Sequence, residues 1–153
     1  MNKNIASLVA AAFVASGSAH ADMLYTVLDN TNTFASINPN TLAVTAIGAT
    51  GADGDFGDLA YDSVSRTMYW VAGRGNNNLY TINMNTGAAT LVGSHGVNDM
   101  FSLGWSGTGL YAQAANGAVY QLNTNNGSAT MIDSNNIYPG GFDFNTVTEQ
   151  MIS

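Results

Sequence analysis

Apolar side chains recur at every second position in short runs along this chain, and polar or glycine-rich turns separate the runs. Tyr80 and Ile82 share one face of such a run, and Tyr120 and Leu122 repeat the arrangement further along. Alternation with a period of two is typical of a β-strand that buries one face. No segment after residue 21 has a helical pattern, so the chain is predicted to be all-β.

One pair of predicted strands occurs three times without gaps. The stretch "NLYTINMNTGAATLVG" at 78–93 matches "TFASINPNTLAVTAIG" at 33–48 and "AVYQLNTNNGSATMID" at 118–133. Each copy predicts a hairpin, because Asn and Gly accept the positive φ of a tight turn. In the first copy Pro39 and Leu42 stand in the turn, which predicts a different turn there.

Two further strand-like runs precede each hairpin. The complete unit then has four short strands, here named A to D, which is the pattern of one blade of a β-propeller. The chain supplies strands B to D of a first blade, two full blades, and strand A with the start of B of another. The A and B runs stand at 56–62 and 67–73, at 100–106 and 109–115, at 23–29, and at 140–145 with 150–153.

About three blades are fewer than a closed ring contains, because propellers close with roughly 4 to 8 blades. The count therefore predicts a partial or truncated ring. A complete small fold, such as an open twisted sheet array or a sandwich, is the alternative that strand spacing leaves open. An open end would expose a sheet edge, and it predicts self-association.

The hairpin repeat also resembles a known group of proteins. "LYTINMNTGAATLVG" at 79–93 is similar to the "LYxIDxxTGxxTxIG" blade of exported bacterial repeat proteins of the PEP-CTERM type, and the likeness covers most of 22–153. The resemblance implies a propeller fold and no particular activity, since the shared positions belong to strands and turns. The sequence has no sorting tail of that group, so anchoring by that route is not expected.

The first residues have the layout of a secretory signal peptide. Lys3 precedes an apolar run at 5–17, and Ala19, His20 and Ala21 form a small-x-small cleavage site. The apolar run is shorter than the roughly 20 residues that a bilayer core requires. The sequence therefore predicts a signal peptide at 1–21, a repeat domain at 22–153, and a secreted or periplasmic protein.

Charge and composition exclude several classes of partner. The formal net charge is −7, and Arg66 and Arg74 are the only arginines or lysines after residue 21. Nucleic acids and anionic lipid surfaces attract basic patches, which this sequence lacks. The chain has no cysteine, which excludes disulfides, thiol catalysis and cysteine-bound metals.

The chemically distinctive side chains fall in two kinds of connection. In an up-and-down blade, the D-to-A and B-to-C connections emerge at one edge, which we call the loop edge. Loops on a rigid scaffold commonly carry recognition residues. We therefore predict ligand binding at the loop edge by Asp53, Asp55, Arg74, His95, Asp99 and Tyr138.

Metal binding and catalysis have weak signals. Asp53, Asp55 and Asp58 are spaced like part of a calcium loop, but the bidentate glutamate of such a loop is missing. A solvated acidic loop is the favoured interpretation, and calcium is the one metal to test. His95, the only histidine after residue 21, forms an acid–base pair with Asp55 or Asp99 in the enzyme alternative. No catalytic residue is predicted.

These features predict a secreted, non-enzymatic propeller repeat protein. Its expected role is to recognise a protein or glycan outside the cytoplasm, or to take part in a surface matrix. The alternatives are a propeller-type extracellular hydrolase or lyase, and a fragment with no independent function.

Overall fold

The named strands of the described residues all pair in antiparallel fashion. The computed structural model describes residues 23–134, 143–145, 147–148 and 150–152, so the predicted signal peptide and Tyr138 lie outside the described residues. None of the described segments is a helix that could cross a membrane. The prediction of an all-β fold is confirmed.

Consecutive strands pair into three sheets, which are the predicted blades, and none of these sheets closes on itself. A short pair of strands follows the third blade. Blade 1 contains β1 (Leu24–Leu28), β2 (Thr33–Ile37) and β3 (Val44–Ala49). Blade 2 contains β4 (Asp58–Asp62), β5 (Thr67–Val71), β6 (Asn78–Ile82) and β7 (Ala89–Ser94). Blade 3 contains β8 (Met100–Trp105), β9 (Leu110–Ala114), β10 (Ala118–Leu122) and β11 (Ala129–Ser134), and the last pair is β12 (Asp143–Asn145) with β13 (Gln150–Ile152).

The hydrophobic core lies between neighbouring blades and is divided into two clusters. Trp70 packs with Phe34 between blades 1 and 2, whereas Val71 packs with Leu103 between blades 2 and 3. Successive side chains of a strand point to opposite faces, so β5 contributes to both clusters. The ring of Trp105 also stacks on Tyr69 across the second interface, with centroids 6.1 Å apart.

Each C-to-D hairpin is held by an asparagine at the end of strand C. The side-chain oxygens of Asn38, Asn83 and Asn123 accept hydrogen bonds from backbone N–H groups two residues later, at 2.9 to 3.0 Å. Asparagine favours turns for this reason, because its side chain replaces a backbone acceptor. The recurring asparagine of the repeat is therefore a turn residue.

The prediction of a different turn in the first copy is wrong. The backbone N–H of Leu42 donates to the carbonyl of Asn38 at 2.8 Å, as Gly87 and Gly127 do to their asparagines. Leu42 takes φ +58, close to the +79 of Gly87. The asparagine cap fixes the turn, and Leu42 adopts a conformation that usually belongs to glycine.

Pairs of glycines join the blades. Gly48 of β3 faces Thr86 and Gly87 in the hairpin of blade 2, and a Cβ on Gly48 would overlap the carbonyl oxygen of Thr86. Gly93 of β7 has the same relation to Asn126 and Gly127 in the hairpin of blade 3. We call these the glycine contacts. The two glycines of the repeat motif thus serve the packing of one blade on the next.

Candidate functional site

The loop edge brings together two connections that are distant in sequence. The D-to-A connection before blade 2 and the B-to-C connection within it form a parallel bridge between Asp55 and Gly73. The N–H of Asp55 donates to the carbonyl of Ala72 at 2.8 Å, and the N–H of Arg74 donates to the carbonyl of Asp55 at 2.7 Å. Two of the predicted site residues, Asp55 and Arg74, are therefore neighbours.

Arg74 lies over two phenylalanine rings that contact each other edge to face, with their centroids 6.5 Å apart. Its guanidinium carbon is 4.8 Å from the ring centre of Phe56 and 5.6 Å from that of Phe101, within the range of cation–π attraction. Its Nη1 is 3.4 Å from Oδ2 of Asp55, and both side chains are about half exposed. We call Asp55, Phe56, Arg74 and Phe101 the Arg74 cluster.

The two phenylalanines were not among the residues predicted from the sequence. Both rings belong to runs that the sequence assigns to strand A, at 56–62 and 100–106. Phe56 is nevertheless 39% exposed, and its φ of +57 is unusual for a bulky residue. The sequence did contain an indication for Phe101. The corresponding residue of blade 2 is Gly57, which has no side chain, so the repeat itself does not require an aromatic ring at this position.

A further carboxyl group, that of Asp29, lies beside the cluster. Burial raises the pKa of Asp29, a hydrogen bond from the backbone N–H of Phe56 lowers it in part, and the negative charge of Asp55 raises it again. Its Oδ2 atom is buried and makes no hydrogen bond within the described chain. Two carboxyl groups of different character thus flank Phe56.

His95 is buried, with 6% of its surface exposed. Its Nδ1 accepts a hydrogen bond from the N–H of Val97 at 3.3 Å, which leaves the proton of the neutral ring on Nε2. Burial lowers the pKa of His95 to about 4, and interaction with the backbone of Asn78 offsets part of this effect. The Nε2 atom itself has no hydrogen bond of good geometry among the described residues.

His95 occupies a position of the repeat that Thr50 fills in the preceding connection. The N–H of Thr50 donates to the carbonyl of Asn32, and the N–H of His95 donates to that of Asn77. Just as His95 accepts from the amide two residues later, the hydroxyl of Thr50 accepts from Ala52 at 3.4 Å. His95 is therefore a structural cap of its connection.

Asp53 also belongs to a repeated contact. The side-chain nitrogen of Asn32 donates to Asp53 at 3.3 Å, and that of Asn77 donates to Asn98 at 2.8 Å. Both pairs tie a B-to-C connection to the following D-to-A connection. A neutral amide fills this position as well as a carboxylate, so the charge of Asp53 is not what the contact requires.

Asp99 and Asp58 form hydrogen bonds with residues outside the Arg74 cluster. The carbonyl of Asp99 accepts from the N–H of Ala115 at 2.8 Å. The carboxyl group of Asp58 is buried and accepts from the N–H groups of Leu59 and Leu103, each at 2.7 Å. Within the described residues no three carboxylates or histidines are grouped so that they could hold a metal ion, and this includes Asp53, Asp55 and Asp58.

We expect His95→Thr to fold and to keep any binding activity of the loop edge. Thr50 performs the same capping role one blade earlier, so threonine should restore the hydrogen bond that the imidazole accepts. His95→Ala, which removes that acceptor, should lower the free energy of unfolding by about 1 kcal/mol more than the threonine variant does. Urea denaturation of both variants measures the difference, and loss of a catalytic activity in the folded threonine variant would indicate chemistry at the imidazole.

A concavity lies at the edge of blade 3 opposite the loop edge. It has a volume of about 340 Å³ and is lined mainly by polar side chains from the A-to-B and C-to-D turns, with Trp105 at its wall. The hydroxyl of Ser106 accepts a hydrogen bond from the N–H of Gly109 at 3.1 Å. Ser106 therefore shapes its own turn.

Comparison with solved structures identifies the architecture. Over 94% of its length the chain superposes on a chain of a nidogen/laminin complex, with a TM-score of 0.73 and 13% identity, and covers 55% of that chain. The fold is of the propeller type. A protein of unknown function from Bacteroides thetaiotaomicron gives a TM-score of 0.65 at 14% identity, with 94% and 38% of the two chains covered.

An auxiliary nutrient binding protein from the same bacterium is also similar, with a TM-score of 0.60, 13% identity, and 88% and 33% of the two chains covered. The chain thus spans about half or less of the length of these propeller chains. No protein-family model matches the sequence. No curated protein is significantly similar to it. The comparisons therefore establish the fold alone.

Proposed function

We propose that this protein is an exported, non-enzymatic propeller that binds a protein or a glycan outside the cytoplasm through the Arg74 cluster. The observation that carries the proposal is an exposed guanidinium that lies over a pair of contacting aromatic rings. Arginine and aromatic side chains contribute much of the affinity in protein interfaces. Aromatic rings with adjacent carboxylates and amides also suit the faces and hydroxyl groups of sugars.

The cluster is held rigidly before any ligand arrives. The bridge between Asp55 and Gly73 fixes the two connections, and Asn76 donates to the carbonyl of Asp53 at 2.6 Å. Preorganised side chains lose little conformational entropy on binding, which favours affinity. Phe56 also holds an exposed ring in a strained conformation, and such strain is often retained where a side chain has a function.

Export is supported by the signal-like segment 1–21 and by the likeness to exported repeat proteins of the PEP-CTERM type. A binding role is in keeping with the nutrient binding protein among the similar structures. The capping role of His95 argues against the acid–base pair of the enzyme alternative.

Hydrolysis of a glycan is the second candidate, and one observation favours it. Burial raises the pKa of Asp29, whose carboxyl group lies near that of Asp55, and glycosidases use a pair of carboxyl groups of which one is protonated. If this function is correct, Asp29→Asn abolishes turnover of a glycan substrate while leaving its binding.

The test uses residues 22–153 on a glycan array and on immobilised bacterial surface proteins. Arg74→Ala and Phe56→Ala are each expected to weaken binding about tenfold or more, as truncation of an interface anchor does. Arg66→Ala is the matched control, because Arg66 is an exposed arginine on a turn of the opposite edge. Binding that survives both substitutions would overturn the proposal. It would also be overturned if the unaltered protein bound neither the glycans nor the immobilised proteins.

A further inference from the structure

Blade 3 contains the two Asn–Gly pairs of the chain, and each pair lies in a turn. Asn116 and Gly117 connect β9 to β10, and Asn126 and Gly127 belong to the turn between β10 and β11. In such a pair the backbone nitrogen of glycine can attack the side-chain carbonyl carbon of asparagine, because glycine has no side chain to keep the two apart. Both asparagines are exposed to solvent, which can take up the proton that the nitrogen loses.

The turn at Asn126 supplies two hydrogen-bond donors to the side-chain oxygen of that asparagine. The backbone N–H and the hydroxyl of Ser128 donate to Oδ1 of Asn126 at 3.0 and 2.9 Å. Attack on the amide moves negative charge onto this oxygen, and donors that are already aimed at such an oxygen stabilise the transition state. The ring closed by the N–H bond also contains the nitrogen of Gly127 and Cγ of Asn126, so it keeps the two reacting atoms near each other.

The other pair has fewer donors. Among the described residues we find one donor to Oδ1 of Asn116, the backbone N–H of Ala118 at 3.1 Å, and alanine has no hydroxyl. The N–H groups of Gly117 and Gly127 each donate to a carbonyl of their own turn, at 2.9 and 2.8 Å. This restraint on the attacking nitrogen is therefore common to both sites. The hydroxyl of Ser128 is the difference between them.

We propose that Asn126 is a site of spontaneous deamidation that Ser128 promotes, and that the product weakens the glycine contact between blades 2 and 3. The nitrogen of Gly127 gives its proton to water or hydroxide and forms a bond to Cγ of Asn126. The side-chain nitrogen takes a proton from water and leaves as ammonia. Water then opens the resulting succinimide at either carbonyl group, which leaves aspartate or isoaspartate at position 126.

The isoaspartate product alters the backbone at the glycine contact. The carbonyl oxygen of Asn126 lies so close to Gly93 that a Cβ on Gly93 would overlap it. In isoaspartate the main chain runs through the former side-chain carbon, so the turn gains one atom and a charged carboxylate replaces this carbonyl group. A charge that loses contact with water is costly unless it is paired. Blade 3 should therefore be held less firmly to blade 2.

The test follows the purified protein at mildly alkaline pH, folded and in urea, by mass spectrometry of its peptides, which detects the conversion of an amide to a carboxyl group. In the folded protein Asn126 should react several times faster than Asn116. Ser128→Ala should slow the reaction at Asn126 by about five- to tenfold, the rate equivalent of one hydrogen bond. In urea the same substitution should have little effect, because no donor is held in place there.

The blade 2 hairpin provides substitutions that should preserve the fold. Ala88 and Thr86 stand there at the positions of Ser128 and Asn126. Asn126→Thr should therefore fold and should stop the reaction in this turn, and thermal melting verifies that each variant is folded. Asn126→Asp is the matched control for charge, because it adds a carboxylate without lengthening the main chain. The isoaspartate form, purified by chromatography, should unfold at a lower urea concentration than this variant.

Three results would overturn the proposal. The first is a reaction at Asn126 that is no faster than that at Asn116 in the folded protein. The second is an unchanged rate at Asn126 in folded Ser128→Ala. The third is an isoaspartate form that is as stable as Asn126→Asp, because the lengthened backbone would then not disturb the glycine contact.

Discussion

Gly127→Ala should lower the free energy of unfolding by about 3 kcal/mol, whereas Gly75→Ala should lower it by about 1 kcal/mol. The two glycines have nearly the same φ, +77 and +76, so the conformational strain of alanine is the same at both. Apart from its chain neighbours, none of the described residues has an atom within 4 Å of the place that a methyl group on Gly75 would occupy, while Gly127 faces the backbone of Gly93. The difference therefore measures the glycine contact between blades 2 and 3.

Urea denaturation of the two variants and the unaltered protein provides the measurement. The lower stability of Gly127→Ala should appear as a lower urea concentration at the midpoint of unfolding. A smaller slope of the unfolding free energy against urea concentration would indicate that blade 3 separates before the rest unfolds. Equal losses at the two positions would show that the blades can move apart slightly at little cost.

The stability of the fold should decrease as pH rises from about 6.5 to 8. Burial raises the pKa of Asp58 from 3.8 to about 8, although hydrogen bonds from the N–H groups of Leu103 and Leu59 oppose the shift. The folded state therefore holds a proton that the unfolded state has released, and rising pH favours unfolding. The expected slope is about 1.4 kcal/mol per pH unit.

At lower pH, the titration of His95 should offset the effect of Asp58 on the free energy of unfolding. The pKa of His95 falls from 6.5 to about 4 on folding, so between these values the unfolded state binds the additional proton. Falling pH then favours unfolding through His95 and folding through Asp58. The two contributions have opposite signs and should roughly cancel between about pH 4 and 6.5.

Urea denaturation at several pH values checks both statements. Asp58→Asn should flatten the curve above pH 6.5, and His95→Thr should extend the decrease down to about pH 4. Asp133→Asn is the matched control, because it removes an exposed carboxyl group of the outer strand and should leave the slope unchanged. A stability that stays constant or increases from pH 6.5 to 8 in the unaltered protein would contradict a protonated Asp58.

The strands and their order could be predicted because both depend on local patterns. Alternation at residues such as Tyr80 and Ile82 follows from one buried face, and the hairpins follow from Asn and Gly. The turn at Leu42 was predicted wrongly, because residue preference was weighed there without the Asn38 side chain that fixes the turn. Local chemistry was sufficient where the repeat kept its consensus residues.

The candidate site was harder to predict, because the type of a residue does not reveal whether its side chain caps a loop, packs in the core or is exposed for binding. His95 resembles a functional residue in sequence, and only its hydrogen bonds show that it replaces Thr50. Phe56 and Phe101 resemble core residues in sequence, and only the exposure of Phe56 and the position of Arg74 over both rings show otherwise. Asp58 resembles a loop carboxylate, yet the twist of the blades buries it against Leu103.

The glycine contacts bear on how such a chain can lengthen during evolution. One repeat contains both a turn glycine, such as Gly87, and a strand glycine, such as Gly93. Duplication of a single unit therefore supplies both surfaces of the new joint at once, with no compensating change elsewhere.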